Sequence, residues 1–171
     1  GLAAATCALA LGAPRSAPAQ DAWPARTVRI VVPFAAGGTT DVVARAVARD
    51  LAELWGQSVV VENRGGAGGN IGADVVAKSA PDGYTLLMTS GSIFTVNPHM
   101  YAKMPFDAKK DLVAVTNVAS GPQLLVANKD VPAKNVKELI ALVKANPGKF
   151  NFGSAGIGTQ VHMAGENFAD A

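Results

Sequence analysis

Two glycine-rich loops contain the residues whose types and spacing best suit binding chemistry. The first loop runs from Pro33 to Asp41 and the second from Gly153 to Thr159. Both lead into predicted helices, where free backbone N–H groups and the positive end of the helix dipole favour an anion. Hydroxyl donors are present in both loops, at Thr39, Thr40, Ser154 and Thr159. Because neither loop carries Lys or Arg, the pattern favours a carboxylate over a polyphosphate, although either loop alone equally fits a tight turn without a ligand.

The spacing of the glycines argues against nucleotide binding. No G-x-x-x-x-G-K-[ST] sequence occurs, and Gly156-Ile157-Gly158 is followed at the required third position by Val161 instead of Gly or Ala. A third glycine-rich stretch, residues 64–70, looks like a phosphate cradle but also lacks the dinucleotide register. We interpret this stretch as the turn that enters a helix.

Candidate catalytic groups are few and dispersed. The only histidines are His99 and His162, and no G-x-S-x-G elbow that would expose a nucleophilic serine occurs. The acidic residues form no paired pattern, and no cluster of His, Asp and Glu indicates a metal. One turn into a predicted helix, His162 fits a cap or a packing partner better than a general base. We therefore expect no enzyme activity, no cofactor and no metal site.

The composition predicts a globular chain and argues against nucleic-acid binding. Of the 171 residues, 49% are hydrophobic and 16% are charged, so the chain can bury a core. The 15 basic and 13 acidic residues give a net charge of +2 and are interspersed along the chain. Since nucleic-acid binding needs clustered Lys and Arg to neutralise phosphates, we expect no nucleic-acid partner.

Residues 1–20 predict a partial signal peptide. Residues 1–12 are small and apolar, a segment that matches the apolar h-region of a signal peptide in length and is too short to span a bilayer. Ala17-Pro18-Ala19 fits a cleavage site, and the only cysteine, Cys7, falls inside the leader without the flanking residues of a lipid attachment site. We expect export to the periplasm and a mature chain without disulfides. The chain begins without Met and stops within a predicted helix, which predicts a fragment of a longer protein.

The hydrophobic pattern positions the first loop at the end of a buried strand. Strands are predicted at residues 28–32, 59–61 and 84–89, and helices at residues 39–54 and 73–79. Thr39, Thr40 and Asp41 are the predicted N-caps of the first helix, and Gly56 its predicted end. The order β-α-β-α-β predicts one half of an open parallel sheet with helices on both faces. In such a sheet, ligands bind beyond the carboxyl ends of the strands.

The rest of the chain predicts a second, incomplete α/β unit. Strands are predicted at residues 112–118, 123–127 and 150–152. A helix capped near Asn135 is predicted at residues 136–145, and another follows Thr159. The second glycine-rich loop would therefore also connect a strand to a helix.

Several motifs together resemble one family of transport receptors. VPFAAGGTTD at residues 32–41 looks like the first-loop signature of Bug or TctC-type receptors, the extracytoplasmic binding components of tripartite tricarboxylate transporters. Further matches are VENR at residues 61–64, APDGYTLL at 80–87, residues 97–112, and FGSAGIGT at 152–159 with His162. They follow the family order from about Trp23 to the end of the chain.

The resemblance implies a periplasmic-binding-protein fold with two α/β domains around a cleft. The first domain would cover residues 21–105, and the second, truncated domain residues 106–171. The ligand would be a small carboxylate: a di- or tricarboxylate, an acidic amino acid or an aromatic acid. One carboxylate would lie in the first loop, held by backbone N–H groups and ordered water, and the second loop would close over it.

The resemblance also implies a set of ligand-binding residues on three segments. They are Phe34, Ala36, Gly38, Thr39 and Asp41 on the first wall, Thr89, Ser90 and Ser92 after the third strand, and Ser154, Gly156, Thr159 and His162 on the second wall. Asp41 would cap the helix or hold water, because a carboxylate repels another carboxylate. Phe34 fits either the core or the pocket, and its loop position favours the pocket.

Three functional hypotheses follow. The favoured one is a monomeric periplasmic binding protein that presents a carboxylate to the membrane components of a tripartite tricarboxylate transporter or to a sensor. The second is an α/β enzyme that acts on a small carboxylate and has its catalytic residues in a missing half. The third is a non-functional product of a truncated reading frame.

Overall fold

A computed structural model describes residues 23–170 of the chain, so the predicted signal peptide lies outside the described residues. A short 3-10 turn, Ala67–Gly69, precedes the second helix. In chain order the strands and helices are β1 (Val28–Val32), α1 (Thr39–Trp55), β2 (Val59–Asn63), α2 (Asn70–Ala77), β3 (Thr85–Leu87), α3 (Ser92–Thr95), α4 (Asn97–Met100), α5 (Val136–Lys144) and α6 (Gln160–Asp170).

The three strands form a parallel sheet in the order β2-β1-β3. In the register of the sheet, Val28 pairs with Val59 and Arg29 with Thr85. The predicted β-α-β-α-β order is confirmed, although β2 extends to Asn63 and β3 is shorter than predicted. Because parallel strands end at the same edge, the segments that follow β1, β2 and β3 lie side by side there.

Helices cover both faces of this sheet, as predicted. Successive β1 side chains point to opposite faces. Ile30 and Val32 pack with Ala44 and Ala48 of α1 in one buried cluster. On the other face, a second buried cluster contains Ala73, Ile93, Phe106 and Ala108. The small alanines of α1 let its backbone lie close to the sheet, which fixes the first turn of α1 beside the end of β1.

The packing of the first unit extends past residue 105. Phe106 and Ala108 belong to the second buried cluster, and Leu112 packs against it. The predicted domain boundary between residues 105 and 106 stays a prediction.

The helix α1 begins at Thr39, as predicted, but its N-cap differs from the prediction. Its N-cap is Gly38, which has extended backbone angles and makes no side-chain capping bond. The three residues predicted as caps, Thr39, Thr40 and Asp41, all lie inside the first turn, so that prediction was wrong. The physical reason is that Asp41 reaches back past Gly38 to a backbone N–H of the loop. Gly56 ends the helix in the left-handed conformation, as predicted.

The strands predicted at residues 112–118, 123–127 and 150–152 are absent from the described residues. Their β-branched and aromatic composition suits an extended chain, but a strand also needs a neighbour to complete its hydrogen bonds. In residues 23–170 no strand lies beside them, and Val113 and Leu124 are 90% and 80% exposed. Composition therefore predicts an extended backbone, but it does not specify a neighbouring strand with which that backbone would pair.

The helices predicted in the second part of the chain are confirmed. Asn135 caps α5, since its side-chain oxygen accepts a hydrogen bond from the Glu138 N–H at 3.0 Å. The helix after Thr159 is α6. In the first unit, α2 begins at Asn70, three residues before the predicted start. No helix within residues 23–170 has both the length and the hydropathy needed to cross a bilayer.

Candidate functional site

The first glycine-rich loop is held in place by hydrogen bonds to the carboxylate of Asp41. This residue is only 2% exposed. Its Oδ2 accepts hydrogen bonds from the Gly37 backbone N–H at 2.8 Å and from Arg45 Nε at 3.0 Å. Its Oδ1 accepts from Asn63 Nδ2 at 2.9 Å. The Gly37 N–H is therefore occupied within the protein, and the loop is tied to the first turn of α1.

These donors lower the pKa of Asp41 from an ordinary 3.8 to about 2. The hydrogen bond from Arg45 has the largest effect, followed by the N–H of Gly37 and the amide of Asn63, while burial acts in the opposite direction. Asp41 is thus a carboxylate at any pH near neutrality. Its negative charge is compensated locally, so it does not leave an open acidic site beside the loop.

Asn63, the last residue of β2, connects the loop to the second strand. Its Nδ2 donates to the carbonyl oxygen of Phe34 at 3.1 Å, and its Oδ1 accepts from Arg45 Nη2 at 3.0 Å. No sequence pattern assigned a role to Asn63 beyond its place in the VENR motif. The available signal was a polar amide at the carboxyl end of a β-branched strand, β2, which pairs with the strand that leads into the first loop.

A cleft of about 500 Å³ lies between the first loop, the turn that follows β2, and the second loop. Backbone and apolar side chains predominate in its lining, and none of the described lining residues is charged. The lining residues are Pro33, Phe34, Ala35, Gly65, Gly66, Ala67, Gly68, Gly69, Tyr101, Ala155, Gly156 and Ile157. The cleft thus brings the two glycine-rich loops to face each other.

The turn at residues 65–69 forms a wall of the cleft that no sequence pattern assigned to the site. Its predicted role as a helix entry is confirmed, since it leads directly into α2. Gly66, Gly68 and Gly69 all have positive φ angles, of 125°, 62° and 97°. Ala67, between them, has a φ of 49°, which is uncommon for a residue with a side chain. The glycines allow this backbone to approach the cleft without side chains in between.

The second loop is organised by Thr159, a buried residue at the start of α6. Its hydroxyl donates to the carbonyl oxygen of Gly156 at 2.7 Å and accepts a hydrogen bond from the His162 N–H at 3.2 Å. This is the geometry of an N-cap. Ser154 Oγ accepts from the Gly156 N–H at 3.3 Å. These bonds hold the loop in one shape and leave its residues 155–157 on the cleft.

His162 packs within the second unit. Its ring lies 6.1 Å from that of Phe152 between centroids, and its Nε2 is 3.3 Å from Glu166 Oε1. It does not line the cleft, in agreement with its interpretation as a packing residue. Among residues 23–170, no three or more His, Cys, Asp or Glu side chains group as metal ligands would.

Two of the twelve predicted ligand-binding residues, Phe34 and Gly156, lie on the cleft lining. Phe34 also packs against the α1-side core, so it serves both roles considered for it. The hydroxyls of Ser90 and Ser92 lie 2.7 Å apart, and Ser92 is fully buried. The other members of the set are Ala36, Gly38, Thr39, Asp41, Thr89, Ser154, Thr159 and His162. Ligand contact by all twelve stays a prediction.

A parallel sheet with helices on both faces and a cleft between glycine-rich loops defines an α/β fold of the periplasmic-binding-protein class. Solved structures agree. The chain matches R. palustris Rpa4515 with adipate at a TM-score of 0.83 and 40% identity, over 85% of this chain and 49% of that one. It matches the periplasmic binding protein BugD at a TM-score of 0.74 and 38% identity, over 86% of this chain and 49% of that one. It matches MatC from Rhodopseudomonas palustris with bound malate at a TM-score of 0.62 and 36% identity, over 72% of this chain and 42% of that one.

The chain belongs to the tripartite tricarboxylate transporter family of receptors, since that family's model matches residues 43–171. Protein BugT of Bordetella pertussis is 45% identical over 159 residues, which are 92% of this chain and 48% of BugT. A second protein of the same organism, of the group called UPF0065, is 44% identical over 162 residues, 95% of this chain and 49% of that protein. The family and fold class expected from the motifs are confirmed. The chain spans about half the length of the curated relatives it matches.

Proposed function

We propose that the whole protein is a periplasmic receptor that captures a small carboxylate in the cleft between its two glycine-rich loops. The observation that carries this proposal is the cleft itself, where backbone from both loops meets with no charged side chain between them. Membership of the receptor family supports it. Two structural neighbours are described with carboxylates, adipate and malate, which favours that ligand class for this protein.

The first turn of α1 is the proposed position of the ligand carboxylate. The N–H groups of a helix's first turn have no partners within the helix, and the helix dipole favours an anion there. The Gly37 N–H is already bonded to Asp41 and the Gly38 N–H to the Ala35 carbonyl oxygen, so the open donors begin at Thr39. The carbon skeleton of the ligand would lie against Phe34 and Ile157, which line the cleft.

The remaining ligand contacts that we propose come from the same segments as in the family. They are Ala36, Gly38 and Asp41 of the first loop; Thr89, Ser90 and Ser92 after β3; and Ser154, Gly156, Thr159 and His162 of the second loop. Of these, Asp41 would act indirectly, by holding the first loop in place. The first domain would span residues 21–105 and the second would begin at residue 106.

The proposed cellular role follows from the same reasoning. After export, the receptor would act as a monomer and deliver its ligand to the membrane components of a tripartite tricarboxylate transporter or to a sensor. It would bind the carboxylate without chemical change. Solved relatives described as periplasmic support this location.

Thermal unfolding tests the proposal directly. The longest natural form of the protein would be melted with adipate, malate, a monocarboxylate, a tricarboxylate and a nucleotide. A ligand at 100 times its dissociation constant stabilises a protein by about 2.7 kcal/mol, a readable rise in melting temperature. Adipamide is the matched control for adipate, because it keeps the carbon chain and lacks the charge. We expect a rise with at least one carboxylate and none with adipamide or the nucleotide.

A protein that melts cooperatively and responds to no carboxylate would contradict the proposal. Nuclear magnetic resonance of the ligand distinguishes the enzyme hypothesis. A carboxylate that binds and is consumed would favour an enzyme, whereas one recovered unchanged supports the receptor.

A further inference from the structure

Tyr101 bridges the two walls of the cleft. It follows α4 in the first unit, and its hydroxyl donates a hydrogen bond to the backbone carbonyl oxygen of Ile157 in the second loop, at 3.2 Å. Tyr101 also lines the cleft, as Gly68 does. A single side chain therefore contacts the ligand space and holds the opposite wall.

Asn97 anchors the same region from the first wall. It is fully buried, and its Nδ2 donates to the carbonyl oxygen of Gly68 at 3.0 Å and to Asn70 Oδ1 at 2.7 Å. Its own Oδ1 has no hydrogen-bond donor among the described residues. Burying an amide oxygen in this way is costly, which indicates that the position of Asn97 is set by its neighbours.

Two glycines show how closely the walls approach each other at this point. A Cβ atom at Gly68 would lie 2.9 Å from both the Ile157 carbonyl oxygen and the Tyr101 hydroxyl oxygen. A Cβ atom at Gly158 would lie 3.1 Å from Asn97 Oδ1 and 3.2 Å from Tyr101 Cε2. The turn after β2 and the second loop thus contact each other through Asn97 and Tyr101, with no room for a side chain between them.

We propose that Asn97 and Tyr101 are positioning residues that hold the second loop at a fixed distance from the turn at residues 65–69 and so set the width of the cleft. Asn97 fixes the turn through Gly68, and Tyr101 fixes the loop through Ile157. Their effect on ligand affinity rests on the proposed function, whereas their effect on the loop does not. The effect on the loop and the effect on ligand affinity can therefore be tested independently.

Hydrogen–deuterium exchange of the ligand-free natural protein tests the effect on the loop. Tyr101→Phe removes one hydroxyl and leaves the ring in place. Since a net hydrogen bond contributes about 1 kcal/mol, we expect exchange in residues 155–159 to become about fivefold faster. Exchange in β1 should not change, because the hydroxyl that is removed bonds to the second loop and not to the sheet. Unchanged exchange at residues 155–159 would overturn the proposal.

A pair of glycine variants tests the close approach. Gly158→Ala and Gly148→Ala both place a side chain at a positive φ, of 86° and 73°. Only the first introduces a contact with Asn97 and Tyr101, since a Cβ atom at Gly148 meets nothing within 4 Å. We expect exchange at residues 155–159 to rise at least tenfold in Gly158→Ala and to stay at the wild-type rate in Gly148→Ala. Equal rates in the two variants would overturn the proposal.

Ligand affinity gives the second readout. With a carboxylate that binds the wild type, Tyr101→Phe should weaken binding about fivefold, while the ligand-free protein still melts cooperatively and only a few degrees below the wild type. Unchanged affinity would overturn the role in setting the cleft width. If no carboxylate binds the wild type, the proposed function fails, and the exchange rates still decide whether Asn97 and Tyr101 hold the loop.

Discussion

The side-chain amide of Asn63 donates a hydrogen bond to the carboxylate of Asp41 at 2.9 Å, which joins the end of β2 to the first turn of α1. The same nitrogen donates to the carbonyl oxygen of Phe34, in the loop between β1 and α1. The first loop and the first turn of α1 are thereby fixed to the end of β2, more than 20 residues further along the chain, through one amide. The shape of the first glycine-rich loop therefore depends on Asn63, a residue outside the loop, as well as on the loop's own residues.

Replacing Asn63 with Ala should therefore destabilise the protein. The change leaves the Phe34 carbonyl oxygen and one Asp41 oxygen without this donor, and an unsatisfied buried group costs about 1–3 kcal/mol. Asn117→Ala is the matched control, because Asn117 is exposed, and such a change should alter the free energy of unfolding by less than about 0.5 kcal/mol. Urea unfolding measures both. Equal destabilisation by the two variants would show that the Asn63 bonds contribute little.

The charge of Asp41 predicts a pH-dependent contribution to stability. Because the pKa of Asp41 is lowered to about 2 in the folded protein, its ionised form stabilises the fold above the ordinary carboxyl value of 3.8. This contribution is lost as the pH falls from 3.8 towards 2. Asp41→Asn keeps the size and removes the charge, so it should melt several degrees below the wild type at pH 7.

The melting-temperature difference between wild type and Asp41→Asn should then shrink between pH 4 and pH 2. Circular dichroism at a series of pH values measures it, and the comparison cancels the titration of the other carboxyl groups. A difference that stays constant down to pH 2 would mean that the hydrogen-bond geometry, and not the charge, is what Asp41 contributes.

The first unit could be predicted from sequence because its signals are local. The β-branched run at Val28–Val32 forms the central strand, and Gly56 marks the end of α1 by its left-handed conformation. The strand-to-helix order then determined the parallel sheet and the edge at which the first loop lies.

The cleft contacts could not be predicted in this way. Tyr101 and Ile157 are 56 residues apart, and neither has a neighbouring pattern that points to the other. The strand predictions at residues 112–118, 123–127 and 150–152 failed for a related reason, because strand pairing is a long-range property that composition does not specify. The capping prediction for α1 failed because Asp41 bonds to Gly37 instead of the helix start.

Central and edge strands should respond differently to the same substitution. Val31 in β1 is fully buried, whereas Val60 in β2 is 46% exposed. Val31→Ala should lower the free energy of unfolding by about 2–3 kcal/mol through lost burial and the cavity it leaves. Val60→Ala should lower it by less than about 1 kcal/mol. Guanidinium unfolding measures both, and similar values would contradict the assignment of β1 as the core of the sheet.

Gly72 in α2 provides the sharpest test of how the first loop is packed. In a helix, alanine is normally more favourable than glycine by up to about 1 kcal/mol. At this position, however, a Cβ atom would lie 2.8 Å from both the Arg64 carbonyl oxygen and Pro33 Cβ. Gly72→Ala should therefore push α2 away from Pro33, where the first loop begins, and destabilise the protein by about 1–3 kcal/mol.

The same displacement should weaken carboxylate binding, because the first loop forms one wall of the cleft. Gly121→Ala is the control, since a Cβ atom at Gly121 meets nothing within 4 Å. It should leave both the free energy of unfolding and the ligand affinity close to those of the wild type. If Gly72→Ala instead stabilised the protein, helix propensity would outweigh the contact, and the loop would not depend on the close approach of α2.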